Sequence, residues 1–307
     1  MMSEKAIGCL HTLPTAEKTV SLVQADINEE GKLKSGTEVG SSEVEYVESE
    51  NLNDVEDVDT SLKTLIAGLD SKDWVLVCET LNDVRRLCIF HKEAMLEMLE
   101  KIISLVEKSL KNPRSAVCKT AIMTAADIFK AYGESIVDTM DPMLLQLLLK
   151  SSQDKRFVCE AAERSLTAMT TWVSPALLLP KLQPYLKNRN PRIRAKASMC
   201  FSRSVPNLGA DGIQEYGLEK LIQIAASQLS DQLPESREAA RALIVELQTV
   251  HDKKSTVATG ENPEETTTTA SSWEQFCQSK LSPLSAQAVL RVTNSAPRGD
   301  DGLPLGS

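Results

Sequence analysis

Aromatic residues are scarce in this chain, at 4% of 307 residues, and glycine and proline are sparse, at 13 each. That poverty argues against a β-sandwich or barrel, which draws on aromatic and β-branched strands, and favours helices packed through aliphatic side chains. Histidine occurs three times, at 11, 91 and 251, never beside a Ser or Cys in a nucleophile motif. Phosphate-cradling glycine loops, HExxH and paired catalytic carboxylates are missing as well, so no enzyme and no cofactor is expected. The seven cysteines (9, 78, 88, 118, 159, 200, 277) form no CxxC pair and have no His at ligand spacing. An odd, scattered set without a secretory signal reads as reduced, buried thiols of a cytosolic or nuclear protein, with no metal site. No apolar run approaches the roughly 20 residues needed to cross a bilayer, and the first residues, "MMSEKAIGCLHTL", lack a signal-type apolar segment. A soluble intracellular chain without membrane contact is expected.

Charge is present but unevenly placed. The formal net charge is −9, yet residues 1–60 hold 4 Lys against 14 Asp/Glu, while residues 61–251 hold 25 Lys/Arg against 22 Asp/Glu. An acidic leader therefore precedes a mildly basic body. In the leader, isolated valines between acids cannot bury enough apolar area to offset about 1–2 kcal/mol of chain entropy per residue, so residues 1–58 are expected to be disordered. Such a strip is either a solvated tail or a competitor for a basic face. Residues 59–250 form the body, 251–271 a polar Thr-rich linker, 272–293 a short amphipathic helical element, and 294–307 a disordered tail.

The body carries apolar residues three and four apart almost throughout, with no sustained two-residue alternation. Breakers recur at "KNPRS", "SSQDKR", "TWVSPA", "KNRNPR", "SVPNLGADG" and "DQLPES". Between them one helix start repeats: "DWVLVCETL" (73–81), "PRSAVCKTA" (113–121), "KRFVCEAA" (155–162), "NPRIRAKA" (190–197) and "PESREAA" (234–240). Aligning Val77, Val117, Val158, Ile193 and Ser236 gives steps of 40, 41, 35 and 43 residues. A period near 40 with two helices per unit is the signature of HEAT-type repeats. The expected fold is an all-α solenoid of about five helical hairpins: 60–90, 92–132, 136–172, 174–206 and 213–250. One station of the motif holds Cys78, Cys118 and Cys159 in the first three units but Arg194 and Arg237 in the last two; the thiols suit small fillers between layers.

In a stack of hairpins the turns inside each repeat share one edge. Those turns are "LDSKDW" (69–74), "LKNPRS" (110–115), "SSQDKRF" (151–157), "LKNRNPR" (186–192) and "SDQLPESR" (230–237). As a column they present Lys72 and Trp74, then Lys111 and Arg114, Lys155 and Arg156, Lys187, Arg189 and Arg192, and Arg237. Lys119 and Arg194 lie just inside their helices. At about 9–10 Å per layer the edge extends on the order of 40–50 Å, a length suited to a macromolecule. Exposed charges contribute about 0–1 kcal/mol each, whereas a buried aromatic anchor adds about 2 kcal/mol or more and fixes register. Trp74 is either that anchor or a packing plug at the terminal repeat. Nucleic acid is a weak candidate partner, because no base-stacking aromatics accompany the basic stripe.

The stretch "SKDWVLVCETLNDVRRL" resembles the opening of a TOG domain, the HEAT-repeat tubulin-binding module. "KRFVCEAAERSLTAMTTWVSP" and "KNRNPRIRAKASMCFSRSV" are similar to the third and fourth units of its CLASP-type N-terminal branch. The resemblance covers residues 60–250. It implies a non-enzymatic module that binds tubulin or microtubules through the stacked turns, in the cytoplasm and on the cytoskeleton. Trp74 would make apolar contact, with Lys111, Arg114, Lys155, Arg189, Arg192 and Arg194 facing an acidic partner surface. The chain departs from the family's pattern at Val77 and Cys159, where basic residues are common, and in having five repeats rather than six unless 271–293 completes a sixth. The alternative is a HEAT/armadillo adaptor that holds other proteins in its concave face without tubulin.

Overall fold

The structure, a computed structural model, describes residues 46–258 and 268–295, all within the unit Val44–Ser307. The expectations of disorder for residues 1–45 and 296–307, and of linker for 259–267, lie outside the described residues.

Helix starts follow the polar residues that precede them. Helix α1 (Val58–Leu69) is capped by Asp57, whose carboxylate accepts from the amides of Asp59 and Thr60. α2 (Trp74–Phe90) is capped by Asp73 through the Val75 amide. Each cap satisfies a backbone donor that the first helical turn leaves unpaired. The hairpins continue with α3 (Leu99–Leu110) and α4 (Ser115–Tyr132), then α5 (Asp141–Lys150) and α6 (Arg156–Trp172). α7 (Pro175–Leu182) pairs with α8 (Pro191–Ser204), which is capped by the Asn190 side chain on the Arg192 amide. After an extra helix α9 (Gly209–Tyr216), α10 (Leu218–Gln228) pairs with α11 (Pro234–Ala258). α12 (Thr268–Lys280) and α13 (Pro283–Ser295) form one further hairpin against α10 and α11. The described residues contain no strand.

The second helices of successive repeats pack in order, α2 on α4, α4 on α6, α6 on α8 and α8 on α11, while α1, α3 and α5 form the adjoining layer. Between the layers runs one apolar core in which Leu81, Val84, Ile102, Ile122, Phe129, Leu147, Leu179 and Ile244 are fully buried. Each such side chain contributes about 1.5–3 kcal/mol by leaving water. The layers approach so closely at Gly68 that a Cβ there would stand 2.3 Å from the Thr80 hydroxyl. At Gly133 (φ 41°) the backbone takes a left-handed turn after α4, and a Cβ would meet the Trp172 carbonyl at 2.7 Å. Glycine serves both sites because it has no Cβ.

Three sequence expectations change. The "SVPNLGADG" breaker opens into α9, which buries Ile213 and ends at Gly217 (φ 106°). The expected linker is helical as far as Ala258, since α11 runs on to present Val250 and His251 to the last hairpin. There Trp273, 2% exposed, meets the His251 ring at 5.3 Å and the Phe276 ring at 5.7 Å.

The third change concerns the leader. Residues 46–57, expected in its disordered part, are ordered and lie as a strap on the second-helix layer. Leu52 is buried, and Ser49–Asn51 form a single 3-10 turn. The physical reason is Arg85. Its side chain is 0% exposed and ion-paired to Asp127 at 2.7 Å. A buried guanidinium must have acceptors for all its N–H groups. The strap supplies two: Arg85 donates to the Val47 carbonyl at 2.8 Å and to the Ser49 hydroxyl at 3.1 Å, and Ser49 donates in turn to Asp127 at 2.7 Å. Composition alone counted the strap's weak hydrophobicity and missed this polar demand.

Candidate partner-binding edge

The five turns within repeats lie along one edge, and side chains link each to the next. Lys108 at the end of α3 reaches Asp70 at 2.5 Å, and its hydrogen bond is the leading cause that holds the Asp70 carboxyl below its usual range. The Arg114 guanidinium lies 5.1 Å from the Trp74 ring centre, joining the second turn to the first by a cation–π contact. Lys155 donates to the Ser115 hydroxyl at 3.0 Å, joining the third turn to the second. Arg192 reaches the Ser152 carbonyl and Asp154, at 3.1 and 3.0 Å, joining the fourth to the third. Arg194 pairs with Asp231 at 2.6 Å, joining the fourth to the fifth. Lysine and arginine side chains thus bridge each turn to the next.

That division of labour sorts the predicted residues. Lys72, Lys187 and Arg189 are exposed, and their charged ends engage no partner among the described residues. Lys111 is exposed but pairs with Glu107, and Arg156 pairs with Glu160 at 2.7 Å. Pairs this open are worth about 0–1 kcal/mol and are readily exchanged for an external carboxylate. Arg114 and Lys155 are also exposed, their cations resting on neighbouring turns.

Two expectations are corrected here. Arg194 points inward: only 20% of its side chain is exposed, and besides Asp231 it donates to the Asn188 carbonyl at 2.9 Å. Arg237 similarly donates to the carbonyls of Asp231 and Gln232, at 2.8 and 3.0 Å. Both close their own turns because the last carbonyls of a helix and its turn have no intrahelical donor. The thiols at the same station do likewise, Cys118 donating to the Leu110 carbonyl at 3.4 Å and Cys159 to that of Ser151 at 2.9 Å. Lys119 is also engaged, its ammonium lying 3.8 Å from the ring centre of Tyr46 in the strap.

Trp74 is half-buried and packs against the core while Arg114 covers part of its ring. Plug and contact are therefore two sides of one indole. Around it the edge exposes Leu76 (42%) and, two repeats on, Phe157 (42%), which the sequence reading did not single out. Their signal was present: each is a large apolar residue in the first helical turn, one position before the buried Val77 or Val158.

The described residues hold no group of three or more potential metal ligands and no helix long and apolar enough to cross a membrane. Burial raises the Cys200 and Cys277 thiols to about 12, which keeps them protonated and inert.

A family model described as CLASP N terminal matches residues 89–270. The chain is 28% identical over 175 residues to the human TOG array regulator of axonemal microtubules protein 1, covering 57% of this chain and 9% of that protein. It is 29% identical over 138 residues to the mouse counterpart, covering 45% and 8%. The chain thus spans under a tenth of the length of these relatives. A structure from work on microtubule plus-end tracking by XMAP215, CLIP-170 and EB1 superposes with TM-score 0.56 at 17% identity, covering 79% of this chain and 94% of that one. A TOG domain of C. elegans Zyg9 superposes with TM-score 0.50 at 17% identity, covering 80% and 91%. At that identity the likeness establishes the fold, a stack of paired helices.

Proposed function

Since this chain belongs to the CLASP N-terminal family, we propose that it is a non-enzymatic tubulin- or microtubule-binding module acting through its turn edge, in the cytoplasm at the cytoskeleton. The observation that carries the reading is the column itself: five turns tied one to the next, with Trp74 at one end and Lys72, Lys187 and Arg189 directed outward. A rigid row of cations steers an acidic surface into place, and the exposed part of the Trp74 ring, with Leu76 beside it, supplies the apolar contact that fixes register. Lys111, Arg114, Lys155, Arg156 and Arg192 add charge that can turn from internal acceptors to a partner's carboxylates. The relatives' name ties them to axonemal microtubules, which supports the same partner for this chain.

The test is cosedimentation with microtubules, together with binding to unpolymerised tubulin, at low and raised salt. Trp74→Ala combined with Arg189→Glu should weaken binding by roughly thirtyfold or more, since an aromatic anchor alone is worth about 2 kcal/mol. Arg189→Glu alone leaves the core untouched, so its smaller loss, erased at high salt, separates edge electrostatics from misfolding. Undiminished binding by both variants would remove the turn edge from the reading.

A further inference from the structure

The second-helix layer already holds one extended segment, through a backbone carbonyl, a hydroxyl, an aromatic ring and the carboxylates of Glu48 and Asp54. The strap, residues 46–57, carries Glu48, Glu50, Asp54, Glu56 and Asp57 and no Lys or Arg. It lies across α2, α4 and α6, with the Tyr46 ring against Lys119, the Val47 carbonyl on Arg85 and Glu48 at 3.7 Å from Arg164. Its path starts at Lys119, near the turn edge, and ends where Asp54 meets His91 at the far end of α2.

Further along the same layer, between α6 and α8, a groove of about 470 Å³ stands open. Its polar lining comprises Glu160, Glu163, Arg164, Thr167, Lys196 and Arg203, over the buried Leu166 and Cys200. The acids there are already matched: Glu163 is paired with Lys196, and Glu160 with Arg156. Two cations remain with capacity to spare. Arg164 is 63% exposed with only the long contact to Glu48, and Arg203 is exposed with a single bond to the Thr167 hydroxyl at 2.8 Å. Each guanidinium presents five N–H donors in a fork that fits a carboxylate.

We propose that the α6–α8 groove is a second binding site, for an extended glutamate-rich segment of a partner protein, laid beside the chain's own strap with its carboxylates on Arg164 and Arg203. The site lies on the second-helix layer rather than on the turn edge, and only the Arg156–Glu160 pair touches both. Charge complementarity and the strap's contacts one groove away are the grounds. A segment held there would add a flexible tether to any folded surface bound at the edge, raising its effective concentration.

The experiment uses the full chain and a fluorescein-labelled peptide of alternating Glu and Gly, read by anisotropy at two salt concentrations. Saturable, salt-sensitive binding is expected, weakened roughly tenfold or more by Arg164→Glu with Arg203→Glu. Lys63→Glu with Lys101→Glu, on the other helix layer, makes the same change in net charge and should leave binding within about twofold. Met199→Glu, which puts a carboxylate into the groove from a half-buried position, should weaken binding as well and guards against a fold defect in the double variant. Hydrogen exchange should show new protection on α6 and α8 with the strap still protected. Absent saturable binding, equal losses for both charge reversals, or deprotection of residues 46–57 on peptide addition would overturn the proposal. None of these readouts involves tubulin, so failure here leaves the turn edge untouched, and failure at the turn edge leaves this site standing.

Discussion

The second and third turns and the last two solve one problem with different chemistry. In each of these four, the fourth residue of the second helix reaches back toward the carbonyls that end the first helix or form the turn. Cys118 and Cys159 do so with a thiol, and Arg194 and Arg237 with a guanidinium. A thiol donates once and weakly. A guanidinium donates several times and carries charge, so Arg194 also captures Asp231 of the next turn. A cation at a recurrent station is therefore no evidence of outward binding until its acceptors are counted.

The largest expected effect comes from breaking the stronger of the two arrangements. Arg194→Ala strands Asp231, whose side chain is 6% exposed, and leaves the Asn188 carbonyl without its donor. Removing one member of a buried pair should cost about 3 kcal/mol in urea unfolding. Cys118→Ala removes one weak hydrogen bond and a small volume, at about 1 kcal/mol. Equal costs would show that the Arg station is no more than a filler.

A smaller effect appears with pH, and at this station it requires the guanidinium of the later turns. Burial works to raise the Asp231 carboxyl, but hydrogen bonds from Arg194 and the Leu233 amide outweigh it and leave the group below its ordinary 3.8. A carboxyl lowered on folding adds stability that is present above its unfolded pKa and lost as pH falls through the folded one. Wild type should therefore lose stability on acidification more steeply than Asp231→Asn between about pH 5 and pH 3. Parallel profiles would mean that the pair is dispensable.

The helices and turns were legible in the sequence because each turn carries its own punctuation: Asp73 and Asn190 cap helices, and Pro191 and Pro234 open them. The recurrence of charge at the turns was legible for the same reason. Which charges point outward was not, because that depends on acceptors such as the Asn188 carbonyl and Asp231, which claim Arg194 but not Arg189. The strap was hidden too, since its ordering depends on Arg85, a charged residue on an otherwise apolar stripe with Leu81, Val84 and Cys88. That intrusion was the available signal: a charge on a core-facing stripe demands acceptors, and the nearest unassigned polar segment was the leader. The extension of α11 likewise reflects tertiary contact, the His251 ring packing on Trp273, and no local rule announced it.

The smallest effect tests the thiol side of the comparison. Cys78 and Cys118 are buried, while Cys159 is only partly covered, and burial raises the pKa of all three. The thiolate is the reactive form, so all three should label slowly, and access rather than acidity should set their order. In a Cys9→Ser background, a neutral disulfide reagent should modify Cys159 first, with Cys78 and Cys118 waiting on local opening of their repeats. Cys159→Ala should abolish the early phase and shift stability by no more than about 1 kcal/mol, because its bond to Ser151 is the one small term lost. If Cys118 reacted as early as Cys159, the second turn would be opening on its own. The Arg114–Trp74 and Lys155–Ser115 contacts would then be too weak to hold the first three turns in register, and the rigidity assigned to that end of the edge would fail with them.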